Sequence, residues 1–290
     1  MIYDCFTFFN ELELLELRLH ELADVVDRFV LVEATKTHSN QPKPLHYQEN
    51  RSRFGGFHDR IIHVVVADLP DAKDAWVLEN HQRNCIARGL SRCRPDDFVL
   101  ISDLDEIPRA TAVARASREM PFRDDFFSNL AHAALNSRVA QGVLRQKGFR
   151  RQLRRHHPYI LKFQQAEYRY FMNCRAGQPP FTHGTRMLHF RDFSCAEEIR
   201  HSGCKIAENG GWHFSFMGGA ERVREKLAAY AHQEKNLPQF SDPQVIDELI
   251  NRAAPLAGLD YQLRFVPLDD SFPRYLLDHP EIFSSWIKPV

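Results

Sequence analysis

Along the first third of the chain, short apolar runs alternate with segments whose apolar residues recur every three or four positions. Ile2–Phe8 is apolar and aromatic and predicts a strand. Leu12, Leu15, Leu19 and Leu22 share one helical face, with Asn10 placed as the N-cap and Glu13 as its capping-box partner. Phe29–Val32 is continuously apolar, as expected of a strand covered on both faces. Residues 35–58 are polar and carry Pro42, Pro44, Gly55 and Gly56, which predicts a long loop with little regular structure. Ile61–Val66 is the next strand. Residues 74–90 place Trp76, Val77, Asn80, Arg83, Asn84 and Ala87 at helical spacing, and Phe98–Ile101 is a further buried strand. Strands alternating with helices predict an α/β fold built on a mostly parallel central sheet flanked by helices.

The pattern loosens afterwards. Residues 159–174 are aromatic and strand-like, and 177–186 are rich in Gly, Pro and Thr. Val223, Leu227 and Tyr230 form a helical face after Gly218-Gly219. Ser241-Asp242-Pro243 reads as a helix start, since Pro is tolerated in the first turn. No repeat or low-complexity linker interrupts the chain. It reads as one domain over 1–290 with an irregular C-terminal half.

Composition removes some classes of function. The 290 residues are 43% hydrophobic and 26% charged, which excludes wholesale disorder. With 38 basic and 38 acidic residues, the net charge supplies no global attraction to nucleic acid or anionic lipid. Residues 1–9 lack a basic leader, and no apolar run approaches the roughly 18 residues of a membrane span. The cysteines at 5, 85, 93, 174, 195 and 204 are scattered. They are expected to be reduced thiols in a cytoplasmic protein. The nearest approach to a zinc pattern, His201-x-x-Cys204, has no second half at metal spacing.

The sharpest chemical signal is Asp103-x-Asp105-Glu106 at the end of the Phe98 strand. In an extended chain, residues i and i+2 point the same way, so the two aspartates are expected to converge. Two carboxylates about 4 Å apart repel by about 4 kcal/mol at an effective dielectric near 20. A divalent cation removes that cost, and oxygen ligands suit Mg²⁺ or Mn²⁺. Ligand sites in open α/β sheets lie at the carboxyl ends of strands, where this cluster sits. The plain alternative is a solvated acidic turn capping the helix after Pro108.

The motifs taken together resemble glycosyltransferase family 17. They are I-Y-D-C-F-x-F-F-N-E-L-x-L-L-E-x-R-L at 2–19, V-E-A-T at 32–35, K-P-L at 43–45 and F-H-D-R-I-I-H at 57–63. Q-R-N at 82–84, S-D-L-D-E-I-P at 102–108 and G-W-H-F-S-F-M-G-G at 211–219 complete the set. The resemblance implies a GT-A-like fold, with a nucleotide-sugar-binding half at about 1–110 and an acceptor-side half at about 111–290. It also implies UDP-GlcNAc as donor, Mn²⁺ or Mg²⁺ as metal, and inverting transfer of N-acetylglucosamine to a glycan hydroxyl in a β-1,4-type linkage. In this frame Asp105 is the direct metal ligand, and Asp103 touches metal, ribose or a bound water. His213 reaches the metal or the diphosphate, its alternative being a core histidine hydrogen-bonded beneath Trp212. Arg83 and Asn84 reach the nucleotide-sugar, with a surface salt bridge as the alternative for Arg83. Glu33, Ala34 and Thr35 line the nucleotide pocket, and Asn10 and Glu11 are further candidates. Glu106 orients the site, caps a helix or acts in catalysis. The general base is drawn from Glu197, Glu198 and Glu208, and Glu198 is the choice because it opens a helix near the acceptor side.

Relative to the family the chain is expected to lack an anchor and stem, and it carries a basic stretch over 138–157, with Arg145, Lys147, Arg150, Arg151, Arg154 and Arg155. That stretch reads as a solvated helix face, a site for an anionic acceptor such as a lipid-linked glycan, or a peripheral contact with an anionic membrane. No stacking surface accompanies it, so nucleic acid is not an expected partner. Two other classes of function share these residues. A nucleotidyltransferase or phosphohydrolase would use the same carboxylates, but Phe9-Asn10-Glu11 is no phosphate-cradling glycine loop. A non-catalytic glycan-binding protein on the same fold would need neither aspartate.

Overall fold

The computed structural model describes residues 1–120, 159–177, 180–202, 205–229, 242–255 and 262–290. They form a ten-stranded mixed sheet. The strands β1 (Ile2–Phe8), β2 (Arg28–Ala34), β3 (Ile61–Val66) and β4 (Phe98–Asp103) are parallel neighbours in the order β3-β2-β1-β4. Helix α1 (Leu12–Glu21) makes the first crossover. The third is made by α3 (Ala75–Asn84) and α4 (Ile86–Gly89), while α2 (His46–Glu49) lies in the second connection. After β5 (Glu106–Pro108) comes α5 (Ala110–Glu119).

Beyond β4 the sheet is largely antiparallel, which corrects the expectation of a mostly parallel one. β8 (Arg186–His189) pairs antiparallel with β4 and with β6 (Leu161–Arg169). β7 (Cys174–Ala176) turns back on β6, and β10 (Leu263–Phe265) pairs antiparallel with β7. The connection from β6 to β7 is too short for the crossover that a parallel pair requires. The long strand β9 (Lys205–Ser215) runs parallel to β6 and antiparallel to β5, so it joins the acidic end of β4 to the far half of the sheet. The described residues of the C-terminal half therefore carry more regular structure than their sequence suggested. It adds α6 (Ala196–Arg200), α7 (Gly219–Ala229), α8 (Pro243–Asn251) and α9 (Arg274–Asp278).

Strand alternation divides the core. Tyr3, Cys5, Val30, Val32, Val99 and Ile101 face α4 and α6. Phe6, Phe8, Phe29, Leu31 and Leu100 face α1 and the C-terminal segment. On that second face Tyr275 stacks on His20 at 3.9 Å and its hydroxyl donates to Glu16 at 3.0 Å. Helix α1 buries Leu14, Leu15, Leu17, Arg18 and Leu19, a wider face than the leucine spacing alone indicated.

Three local expectations change. Glu11, not Asn10, is the residue before α1, and no side chain caps the helix, because the Glu11 carboxylate turns back to accept from the Asn10 N–H. The 35–58 loop contains α2 and a 3₁₀ stretch at Arg51–Phe57, which bury Tyr47 and Phe54. The helix expected over 74–90 starts at an Asp74 cap and breaks at Cys85. The Asp242-Pro243 start of α8 is as expected. Tyr230, Ser241, Cys204 and the basic stretch 138–157 lie outside the described residues.

Candidate active site

The acidic turn is built around one arginine. β4 ends at Asp103, Leu104 and Asp105 form a turn, and β5 starts at Glu106. Arg18, fully buried on α1, donates to the carbonyl oxygens of Asp103, Leu104 and Glu106 at 2.9, 3.1 and 3.2 Å. The same guanidinium donates to the Ser102 hydroxyl and to both oxygens of Asp4 on β1. A planar fork with five donors suits this task, since it satisfies several convergent acceptors at once.

Because β4 alternates, Ser102 faces α1 and Asp103 faces the opposite layer. Asp103 lies across from Thr7, which donates to it at 3.2 Å. It also accepts from Arg83 of α3 at 3.2 Å and Arg200 of α6 at 2.7 Å. Burial would raise its pKa, but Arg200 and Arg83 prevail and hold the carboxyl well below the usual range. Arg83 is itself buried and pairs with Glu79 and Glu197 as well. Arg200 makes a second, two-pronged contact to Glu106 at 2.6 and 2.7 Å. Glu106 in turn accepts from the Asp103 backbone N–H.

Asp105 has its own direct ion-pair partners, while Asp103 and Asp105 still act on one another and both feel Lys226. β4 ends at Asp103, so Asp105 is placed by the turn and not by strand alternation. Lys226 of α7 sits 2.7 Å from Asp105 and 3.4 Å from Glu11. His213 Nε2 lies 3.9 Å from the other Asp105 oxygen. Burial raises the Asp105 pKa, but Lys226 and then His213 outweigh it and hold the carboxyl below its ordinary value. His213 stacks on Phe181 with centroids 4.2 Å apart, and its Nδ1 is buried with no hydrogen-bond partner. It is therefore not the hydrogen-bonded core histidine of the alternative reading. A carboxylate beside an imidazole nitrogen is a donor pair suited to Mn²⁺, so Asp105 and His213 Nε2, rather than the orphaned Nδ1, are the atoms that could hold such an ion. Asp103 accepts from Thr7, Arg83 and Arg200, so three side chains orient its carboxylate.

The remaining sequence candidates separate by position. Arg83 joins the cluster as a buried bridge rather than as a surface salt bridge. Asn84 caps α6, its side-chain oxygen accepting from the Glu197 N–H at 3.0 Å and from Cys195 Sγ at 2.9 Å. Glu33 is completely buried and holds Lys43, the Tyr47 N–H and His63, so it ties down the 35–58 segment instead of lining an opening. Three of the motif blocks, V-E-A-T, K-P-L and F-H-D-R-I-I-H, thus meet at one carboxylate. Ala34 is buried on the helix-facing side, and Thr35 bonds the Val66 carbonyl. Glu198 is exposed and accepts from Ser194, while Glu197 faces the cluster; Glu208 is exposed on β9.

The sequence reading missed Arg18, Arg200 and Lys226. Arg18 left two traces: it and Asp4 are fixed positions of the 2–19 motif, and it is a basic residue on the leucine face of α1 with Asp4 inside an apolar strand. Nothing local marked the other two.

Residues 1–121 match the family model described as Glycosyltransferase family 17. The human beta-1,4-mannosyl-glycoprotein 4-beta-N-acetylglucosaminyltransferase is 35% identical over 112 residues, covering 36% of this chain and 21% of the relative. Its mouse counterpart is 34% identical over the same length and shares. The match thus spans about a fifth of these relatives' length. Asp103, Asp105, Glu106, Arg18 and Arg83 fall inside the matched segment, whereas Arg200, His213 and Lys226 fall outside it. Over residues 1–121, which carry the acidic turn and two of the arginines that fix it, Arg18 and Arg83, this chain is similar to glycosyltransferase family 17.

Proposed function

We propose that the protein is an inverting, metal-dependent glycosyltransferase with a GT-A-like fold. It would move N-acetylglucosamine from UDP-GlcNAc to a glycan hydroxyl in a β-1,4-type linkage. The observation that carries this reading is the approach of His213 Nε2 to Asp105, which lies just past the carboxyl end of β4 in the family-like segment.

Asp105 and His213 would hold the divalent ion. When bound, it supplies Lewis-acid stabilisation of charge on the departing diphosphate. The chain's own contribution is preorganisation. Arg18 fixes the turn carbonyls, and Arg83 with Arg200 keeps Asp103 ionised and still. Lys226 balances the charge of Asp105 and Glu11, so the acidic end of β4 stays assembled before donor arrives.

The acceptor hydroxyl must lose its proton as the new bond forms. Glu197 is poorly suited to take it. Burial raises its pKa, but Arg83 and His201 lower it below the ordinary value, and both contacts occupy the carboxylate. Glu198, exposed on the same helix as Arg200, is the carboxylate we assign to this step.

The test is a thermal-shift titration with UDP-GlcNAc, with and without Mn²⁺, alongside Asp105→Asn. A ligand at 100 times its Kd stabilises the fold by about 2.7 kcal/mol, a shift of a few degrees for a chain this size. The expected result is a shift that needs both the metal and Asp105, with transfer lost in Asp105→Asn. Normal turnover by Asp105→Asn overturns the metal assignment, and a shift with free glycans alone replaces the enzyme reading by a binding one.

A further inference from the structure

A second group of donor side chains lies on the other side of α3 from the Arg83 contact. Asp68 Oδ, His81 Nε2 and Cys85 Sγ offer ligand atoms that all lie within 4.8 Å of one another. His81 Nε2 is 3.7 Å from Asp68 Oδ2, and it is buried with no hydrogen-bond partner. His81 and Cys85 are separated by one helical turn, and the Cys85 N–H donates to the His81 carbonyl at 3.1 Å, so the backbone fixes their relation. Asp68 follows β3 and is more than half exposed, which leaves an entry path. Its two oxygens accept from Arg88 at 2.8 and 2.7 Å.

We infer that Asp68, His81 and Cys85 form a binding site for a zinc-class transition-metal ion, distinct from the acidic turn. Tetrahedral sites with bonds of about 2.0–2.3 Å place neighbouring ligand atoms roughly 3.3–3.8 Å apart, so small side-chain rotations close this set. Thiolate, imidazole and carboxylate together select zinc-like ions over Mg²⁺ or Ca²⁺. Arg88 serves as the outer partner that orients the ligating carboxylate, an arrangement usual for metal sites. Binding forms the metal–sulfur bond and releases the thiol proton to solvent. A loaded site would fasten the segment after β3 to the break between α3 and α4. Arg83 lies between His81 and Cys85, so the same turn presents the guanidinium to Asp103.

The experiment is a Co²⁺ titration of the full chain, read by the sulfur-to-cobalt charge-transfer absorption and followed by Zn²⁺ displacement. The expected result is a band saturating at one ion per chain and abolished by Zn²⁺. Cys85→Ser should remove it, and His81→Gln and Asp68→Asn should each weaken binding about tenfold or more. These last two alter partly exposed side chains, so they test the site even where Cys85→Ser fails to fold. Asp105→Asn should leave the band unchanged, which separates this site from the acidic turn. No band in the wild type, a band that survives Cys85→Ser, or unchanged affinity in both His81→Gln and Asp68→Asn overturns the inference.

Discussion

Arg18 and Asp4 form a two-pronged ion pair with neither side chain exposed to solvent, Nε to Oδ2 at 2.7 Å and Nη2 to Oδ1 at 2.6 Å. The pair joins α1 to β1 beneath the acidic turn, and the remaining donors of Arg18 hold the turn's carbonyls. Removing the guanidinium strands a buried carboxylate and takes this donor from the Asp103 and Leu104 carbonyls, while the Glu106 carbonyl still accepts from Thr185.

Arg18→Met is therefore expected to destabilise the fold by about 3–5 kcal/mol, the usual cost of an uncompensated buried charge. Adding Asp4→Leu should recover part of this, because the stranded charge disappears. Urea unfolding of the two single variants and the double variant measures the coupling. Simple additivity would show that the buried pair is not the source of the effect.

Stability should fall steeply in acid. The carboxyls of Asp103 and Asp105 are held below their ordinary range, the first by Arg200 and Arg83, the second by Lys226 and His213, each against burial. The unfolded chain, with ordinary pKa values near 3.9, therefore takes up protons first as pH falls. The stabilisation is whole above about pH 5 and is lost as pH drops through the unfolded value towards the folded ones. Denaturation from pH 7 to pH 2 should show this limb, flattened in Asp105→Asn. An identical slope in the variant would remove Asp105 from the account.

Asn84→Ala should cost about 1 kcal/mol, since it removes the acceptor that caps the first turn of α6. The same change loosens Glu197 and Arg200, so transfer should slow while donor binding persists. Chemical denaturation and a KM-against-kcat comparison distinguish this from a residue that touches the nucleotide-sugar, whose loss would act first on KM.

Gly211 has φ +142°, and a Cβ there would overlap the Ile107 carbonyl and come within 2.8 Å of the Arg109 nitrogen. The close approach lets β9 pair with β5 and puts His213 opposite Glu106. Gly211→Ala should destabilise the fold by about 2–4 kcal/mol through backbone strain and overlap. A calorimetric midpoint within a degree of the wild type would contradict this.

What the sequence determined by itself was the local order. Ile2–Phe8 and Ile61–Val66 have the bounds their apolar runs predicted, and the Asp242-Pro243 start and the acidic end of β4 were equally plain. These features depend on neighbours within a few positions, where apolar periodicity and capping chemistry act. Motifs also marked Glu33, Arg83, Asn84 and His213, but not what each holds. The tertiary structure alone decided that Glu33 ties down a loop, that Asn84 caps a helix more than a hundred residues away, and that Asp103 pairs with arginines while Asp105 pairs with Lys226. It also chose the cations that neutralise the site. Arg200 and Lys226 reach carboxylates about a hundred positions distant, and the charge balance of a buried acid is set by whatever the fold brings within a few ångströms. No periodicity along the chain records that choice.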